Sequence, residues 1–194
     1  PVQSGGVVPL DQPKHQHPAE TYRQESFVAT DAAFATNALV LVKFDLSQGT
    51  NGFVAVDIGA KGKVAFADGR ATDEAGRVLV IFDSAWKWER GLAIARLKTG
   101  SVATLAIPTK PFAAGGQFAM NPKVYAAQRE LCEQTWREIL AGGMNVETPE
   151  PIVNNAWRHL ICQNFELISG NRIHYSAGNQ YDQLYESEGS DAML

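Results

Sequence analysis

Between residues 21 and 111 the chain runs in short apolar or alternating stretches separated by glycine-bearing turns, the pattern of antiparallel strands with one face buried. It predicts strands at 22–28, 38–45, 53–58, 63–67, 78–83, 92–97 and 101–107. Ser47-Gln48-Gly49-Thr50-Asn51-Gly52, Gly59-Ala60-Lys61-Gly62, Asp68-Gly69 and Lys98-Thr99-Gly100 separate them. In such corners glycine supplies positive φ and Asn or Asp tolerates it. Short strands at this spacing fit an antiparallel β-sandwich.

Past Pro111 the period becomes helical. Asn121-Pro122 is a cap and first-turn pair, and Val124, Ala127, Leu131, Thr135 and Ile139 define one face before Gly142-Gly143 stops the helix. Thr148-Pro149-Glu150 opens a second helix, on which Ile152, Val153, Ala156, Trp157, Leu160, Ile161 and Ile168 form a broad apolar stripe ending at Gly170. The first helix has a sandwich to lie on. The second has almost no chain after it to cover its stripe. Residues 171–194 are rich in Tyr, Gly, Ser and acidic groups, and Ser190 or Asp191 caps what reads as another helix just starting. The expectation is therefore that the parent polypeptide continues. The proline-bearing stretch before the strands reads as an extended arm, and its His15 and His17 have no third ligand nearby.

Composition narrows the classes without choosing among them. Apolar residues are 45% and charged residues 20% of the 194, the balance of a folded protein. A net charge of -4 gives no electrostatic reason to expect nucleic acid or an anionic membrane as partner. No run reaches the roughly 18 apolar residues that a membrane span needs. The chain starts at Pro1, which reads as processed or cropped, so the absence of a leader leaves localisation unknown. Cys132 and Cys162 fall at ordinary helix positions and match no zinc or redox spacing. Nucleotide, phosphate, serine-hydrolase and zinc-protease motifs are all missing, and no cofactor or metal is expected.

Two clusters carry candidate chemistry. The span from His174 to Glu188 offers Tyr175, Tyr181 and Tyr185 with Asp182, Glu186 and Glu188. Sugar sites need aromatic faces for the C–H surface of a pyranose, with amides or carboxylates for its hydroxyls. A solvated acidic loop pinned by its tyrosines is the competing reading, and for Glu188 the stronger one. Glu186 and Glu188, two apart, make no convincing acid and base pair. The second cluster places Trp86 and Trp88 at alternate positions among charges. Exposed and coplanar, they form a sugar platform; more often such residues close a sandwich edge or pack against a neighbouring domain.

At Pro151-Ile152-Val153-Asn154-Asn155-Ala156-Trp157-Arg158 and at Gln180-Tyr181-Asp182-Gln183-Leu184-Tyr185-Glu186 the chain resembles the six-hairpin, or (α/α)6-barrel, glycoside hydrolases of the glucoamylase-like and glycogen-debranching-like kind. The first segment is similar to the opening barrel helix and the second to the loop entering the next. The resemblance implies a β-supersandwich over 21–118 after an arm over 1–20, a linker helix over 119–147 and the beginning of a truncated barrel over 148–194. It also implies that Tyr181 and Tyr185 take the aromatic roles in a sugar pocket. Glu186 or Glu188 stands where glucoamylase-like members carry an Arg-Asp pair, which leaves the sugar open. The family's general acid and base lie later than Leu194, so no catalytic residue is expected in this chain. The implied partners are carbohydrate and the rest of the parent polypeptide. A non-catalytic carbohydrate-binding or interaction module is the alternative.

Overall fold

Alternation along the longest strand shows how the fold is built. In Leu39–Gln48, Leu39 and Leu41 point to one side and Val40, Val42, Phe44 and Leu46 to the other, and both sides are packed. A strand with two apolar faces belongs in the middle layer of three. The structure, a computed structural model, describes residues 20–110, 112–113, 118–143, 146–169 and 172–173. It is mostly antiparallel sheet in a β-sandwich-like arrangement, with two long helices on the C-terminal side. Two compact units divide it, Pro1–Thr135 and Trp136–Leu194. The arm expected over 1–20 lies outside the described residues except for Glu20.

In the first unit the elements are β1 (Thr21–Val28), α1 (Ala32–Ala35), β2 (Leu39–Gln48), β3 (Asn51–Val56), β4 (Ala65–Ala67), β5 (Arg70–Thr72), β6 (Arg77–Phe82), β7 (Trp86–Glu89), β8 (Leu92–Lys98), β9 (Val102–Pro108) and β10 (Phe112–Ala113). A larger sheet runs in the order β1-β2-β9-β6-β5-β4, with β10 beside β6, and a smaller one runs β3-β8-β7. One core layer lies between the sheets: Val42, Leu46, Val80, Phe82, Trp86, Leu97 and Leu105, with Ala93, Ala95 and Ala103 leaving room for the rings. On the other side of the larger sheet Leu39, Leu41, Val78, Ile81 and Ala106 pack against Met120 and Tyr125. Tyr125 belongs to α2 (Pro122–Ala141).

A register shift lets β6 serve both layers. Ala71 faces Val80 and Thr72 faces Val78, so Leu79 is an extra residue. Leu79 and Val80 therefore both turn to the inter-sheet layer, while Val78 and Ile81 face the helix side.

The end of β6 is held by a buried carboxylate. One oxygen of Asp83 accepts from the Thr104 backbone N–H and hydroxyl, both at 2.7 Å, and the other accepts from the Ala85 N–H at 2.8 Å. The Asp83 N–H donates to the Thr104 carbonyl at 3.1 Å, and that carbonyl also accepts from the Trp86 indole N–H at 3.0 Å. The chain leaves the larger sheet here and enters the smaller one. The turn is thus fixed to β9 by side chain and backbone together, and the buried polar atoms find partners within it.

Residues Asn121 and Tyr125 seat α2. The Asn121 side chain accepts from the N–H groups of Lys123 and Val124, both at 3.0 Å, as the sequence leads one to expect. The buried positions are Tyr125, Gln128 and Cys132, one residue round from the aliphatic face through Val124, Ala127 and Leu131. The aromatic ring decides the rotation. It meets Phe27 edge-on at 5.2 Å, and its hydroxyl reaches the Glu25 carbonyl and carboxylate, each at 3.2 Å. Glu25 in turn pairs with Lys43 at 2.8 Å and with Arg129 at 2.7 Å, tying α2 to β1 and β2. Burial works to raise the Glu25 pKa, but hydrogen bonds from the two cations outweigh it and hold the group at about 2. Burial and then the Glu25 charge push the Tyr125 hydroxyl well above its ordinary value.

In the second unit, Trp136 near the end of α2 meets Phe165 of α3 (Pro151–Glu166) edge-on at 6.1 Å. A short hairpin follows, β11 (Ile168–Ser169) with β12 (Arg172–Ile173). The start of α3 differs from the expected pattern. Glu150 is the cap residue without a side-chain bond, Pro151 opens the first turn, and Thr148 is held instead by Asn154. The Asn154 side chain accepts from the Thr148 N–H at 2.8 Å and donates to its carbonyl at 3.0 Å.

Two stability predictions follow from these contacts. Asp83→Ala strands the buried Thr104 donors and is expected to cost roughly 2–4 kcal/mol, read as a lower urea midpoint at unchanged slope. Glu25→Gln is expected to cost about 1 kcal/mol at neutral pH, discounted for solvent screening. Because the folded-state pKa lies below the ordinary 4.5, this contribution is complete above that value and is lost as pH falls through about 2. Urea midpoints of wild type and Glu25→Gln should therefore converge across that window; a constant difference down to acid pH would show that the pairs are not the source.

Candidate functional site

β7 carries the tryptophan cluster. Alternation on a strand puts Trp86 and Trp88 on one face, and that face is turned inward. Trp86 is 4% exposed, bonded through its indole N–H to Thr104 and packed at 5.3 Å from Phe82. Trp88 is half-buried and stacks on Phe66 at 5.5 Å with the planes 14° apart. The exposed coplanar sugar platform is corrected accordingly: the ring faces are spent on Phe82 and Phe66, and the pair forms part of the sandwich core. The other sugar-contact candidates, Tyr175, Tyr181, Asp182, Tyr185, Glu186 and Glu188, lie outside the described residues.

A small cleft of about 280 Å³ opens where the turn between β4 and β5 approaches the segment before α2. Asp68, Arg70, Phe82, Asp83, Ser84 and Phe118 are among its lining residues. Its shape depends on Gly69, whose φ of +70° follows Asp68 at +50°. A Cβ at Gly69 would come within 2.9 Å of the Phe82 carbonyl, so glycine is what lets this hairpin turn close up beside the end of β6, where the Phe82 N–H donates to the Gly69 carbonyl at 2.7 Å. Arg70 donates to the Phe118 carbonyl at 2.9 Å, which draws the segment before α2 over the cleft. Phe118 also meets Phe34 of α1 edge-on at 4.6 Å.

Two carboxylates line this cleft, Asp68 and Asp83, but they are unequal. Both oxygens of Asp83 are engaged by Thr104 and Ala85, so its geometry serves the corner. The cleft is slightly smaller than the usual range for small-molecule sites and offers a polar rim rather than an acid and base pair. Among the described residues no three His, Cys, Asp or Glu side chains are grouped to hold a metal ion. His159 sits exposed on α3, and His15 and His17 are outside the described residues. Among the described residues no helix is long and apolar enough to cross a membrane.

Comparison with protein-family models, with curated proteins and with solved structures gives no match to this chain.

One surface group escaped the sequence reading. Phe53 on β3 is 63% exposed, and its signal was in the strand: with Val54 and Val56 facing the core, Phe53 occupies an outward position where a polar residue is the norm. Its register partner on β8 is Arg96, which makes two bonds to Glu89, at 2.6 and 2.9 Å.

The inward assignment of Trp86 is testable. Trp86→Phe keeps most of the ring volume and removes the indole donor, so a loss of about 1–2 kcal/mol is expected in chemical unfolding. A neutral result would mean that the bond to Thr104 contributes nothing.

Proposed function

We propose that this chain is the N-terminal portion of a glycoside hydrolase acting on oligo- or polysaccharide, its sandwich supporting a helical catalytic domain. The observation that carries the reading is the uncovered apolar face of α3, where Ile152 is 79%, Leu160 54% and Val153 45% exposed. An apolar helix face of this extent needs a protein surface against it, and further barrel helices would supply one. The order of elements supports it too: a sandwich, then α2 seated on that sandwich by Tyr125, then a second helix with its stripe open. The described residues provide scaffold contacts and no acid and base pair, which suits a supporting unit whose catalytic groups come from elsewhere. In this reading Tyr175, Tyr181, Asp182, Tyr185, Glu186 and Glu188 contribute to the substrate pocket.

The test assays the 194-residue chain and the polypeptide encoded by its full reading frame on aryl glycosides and a panel of oligosaccharides, following released reducing ends. The expected result is no hydrolysis by the chain alone and hydrolysis of at least one substrate by the longer polypeptide. There Tyr181→Ala and Glu186→Gln are expected to raise KM about tenfold with a smaller effect on kcat, as for groups that bind substrate and transition state alike. Hydrolysis by the chain alone that disappears in Glu186→Gln would sink the idea, as would a reading frame that closes at Leu194.

A further inference from the structure

The larger sheet ends on one side in β1 and on the other in β4. β4 is three residues long, whereas β1 is eight, and among the described residues no strand pairs with its outer edge. The Ala29 N–H donates to the Leu39 carbonyl at 2.9 Å, and β1 and β2 keep one register from Tyr22 to Val28. Phe27, Glu25 and Arg23 therefore turn their amides toward β2, while Ser26, Gln24 and Tyr22 turn theirs outward. The strand carries no Pro or Lys, and its single register shift lies at its first residue. Such an edge is a template for pairing.

The smaller sheet differs at β3. There the Phe53 N–H donates to the Tyr22 hydroxyl at 3.1 Å, and that hydroxyl donates to Glu20 at 2.8 Å. The same hydroxyl fills the space beside Gly52 that a side chain would need. Side-chain charge then decides what the β1 edge can pair with. On the helix side of the larger sheet Arg23 stands opposite Asp45, and Glu25 opposite Lys43, to which it is bonded at 2.8 Å. Arg23 is exposed and makes no ion pair among the described residues.

We propose that the outer edge of β1 docks a second copy of this chain, the two β1 strands pairing antiparallel about a two-fold axis at Gln24. The outward amides of Tyr22, Gln24 and Ser26 supply the ladder, and symmetry makes the contact isologous. In this register Arg23 faces Glu25 of the partner subunit on both sides of the axis. A row of side chains then crosses from sheet to sheet with alternating sign: Asp45 and Arg23, followed by Glu25 of the partner subunit and Lys43 of the partner subunit. Moving the axis by one residue sets Arg23 against Arg23 or Glu25 against Glu25, so like charges reject the neighbouring registers. Any extended peptide could use the same amides, but β1 itself brings the matching charge at each position. The paired stretch is short, so the dimer is weak, with a dissociation constant on the order of 100 μM. This edge lies wholly in the first unit and is independent of the enzymatic reading above.

Sedimentation velocity of the full 194-residue chain at low salt, from roughly 5 μM to 1 mM, tests the proposal. The expected result is a concentration-dependent dimer and no larger species, because an isologous contact closes on itself. Gln24→Pro removes the outward N–H at the axis and spares the ladder to β2, so it should abolish the dimer with little change in the urea midpoint. Arg23→Glu sets carboxylate against carboxylate and should weaken the dimer at least about tenfold, while Arg23→Lys retains it. A monomer at every concentration overturns the proposal. So does a dimer that Arg23→Glu leaves unchanged, whatever Gln24→Pro does, because the charge match is what selects the second copy. Association that Ile152→Lys removes and Arg23→Glu does not would belong to the apolar face of α3, and it overturns the proposal as well.

Discussion

The sandwich turns on a single buried carboxylate. A chain passing from one sheet to the other must break two ladders at once, and every N–H and C=O released inside the core needs a new partner. At the end of β6, Asp83 serves the Thr104 N–H, the Thr104 hydroxyl and the Ala85 N–H. The Thr104 carbonyl serves Asp83 and Trp86 in return. With that corner fixed, Trp86 is aimed between the sheets, and Phe44 and Phe82 can pack on it at 6.0 and 5.3 Å. The small alanines of β8 and β9 then become necessary, because larger side chains would collide with these rings.

A second constraint sits on the opposite side of the larger sheet. Helix α2 carries Gln128 and Cys132 on its buried face, neither of them a strong hydrophobic anchor, so burial alone does not select this rotation. Tyr125 selects it, through its ring against Phe27 and its hydroxyl on Glu25. Lys43 and Arg129 then neutralise the carboxylate that the hydroxyl approaches. Orientation here comes from a polar group set into an apolar contact, the same device that fixes the corner at Asp83.

What the sequence made legible follows the same division. Long alternating runs such as Leu39–Gln48 and Leu92–Lys98 declare themselves because both ends of the pattern fit inside one strand. The three residues of β5 and the two of β10 are too short to show a period, and β7 was read as a cluster of tryptophans and charges rather than as the strand it is. The Asn121 cap was legible because its partners are two and three residues away. Asp83 and Thr104 were not, since 21 residues separate them and neither belongs to a motif. Tyr125 was passed over because counting aliphatic positions favours Val124, Ala127 and Leu131, and that count is blind to a hydroxyl's partner on another strand. The sugar candidates from Tyr175 to Glu188 rest on residue type and on the resemblance at Gln180–Glu186, and they lie outside the described residues.

The contact between Tyr22 and β3 also bears on how the protein behaves in a crowded solution. A strand at the border of a sheet offers its free amides to any passing extended chain, and growth by strand addition is a route to fibres. On β3 the Phe53 amide is already taken by the Tyr22 hydroxyl, and the ring of Tyr22 stands in the path of an incoming strand. One phenol thus acts as a stopper against strand addition at the β3 border of the smaller sheet.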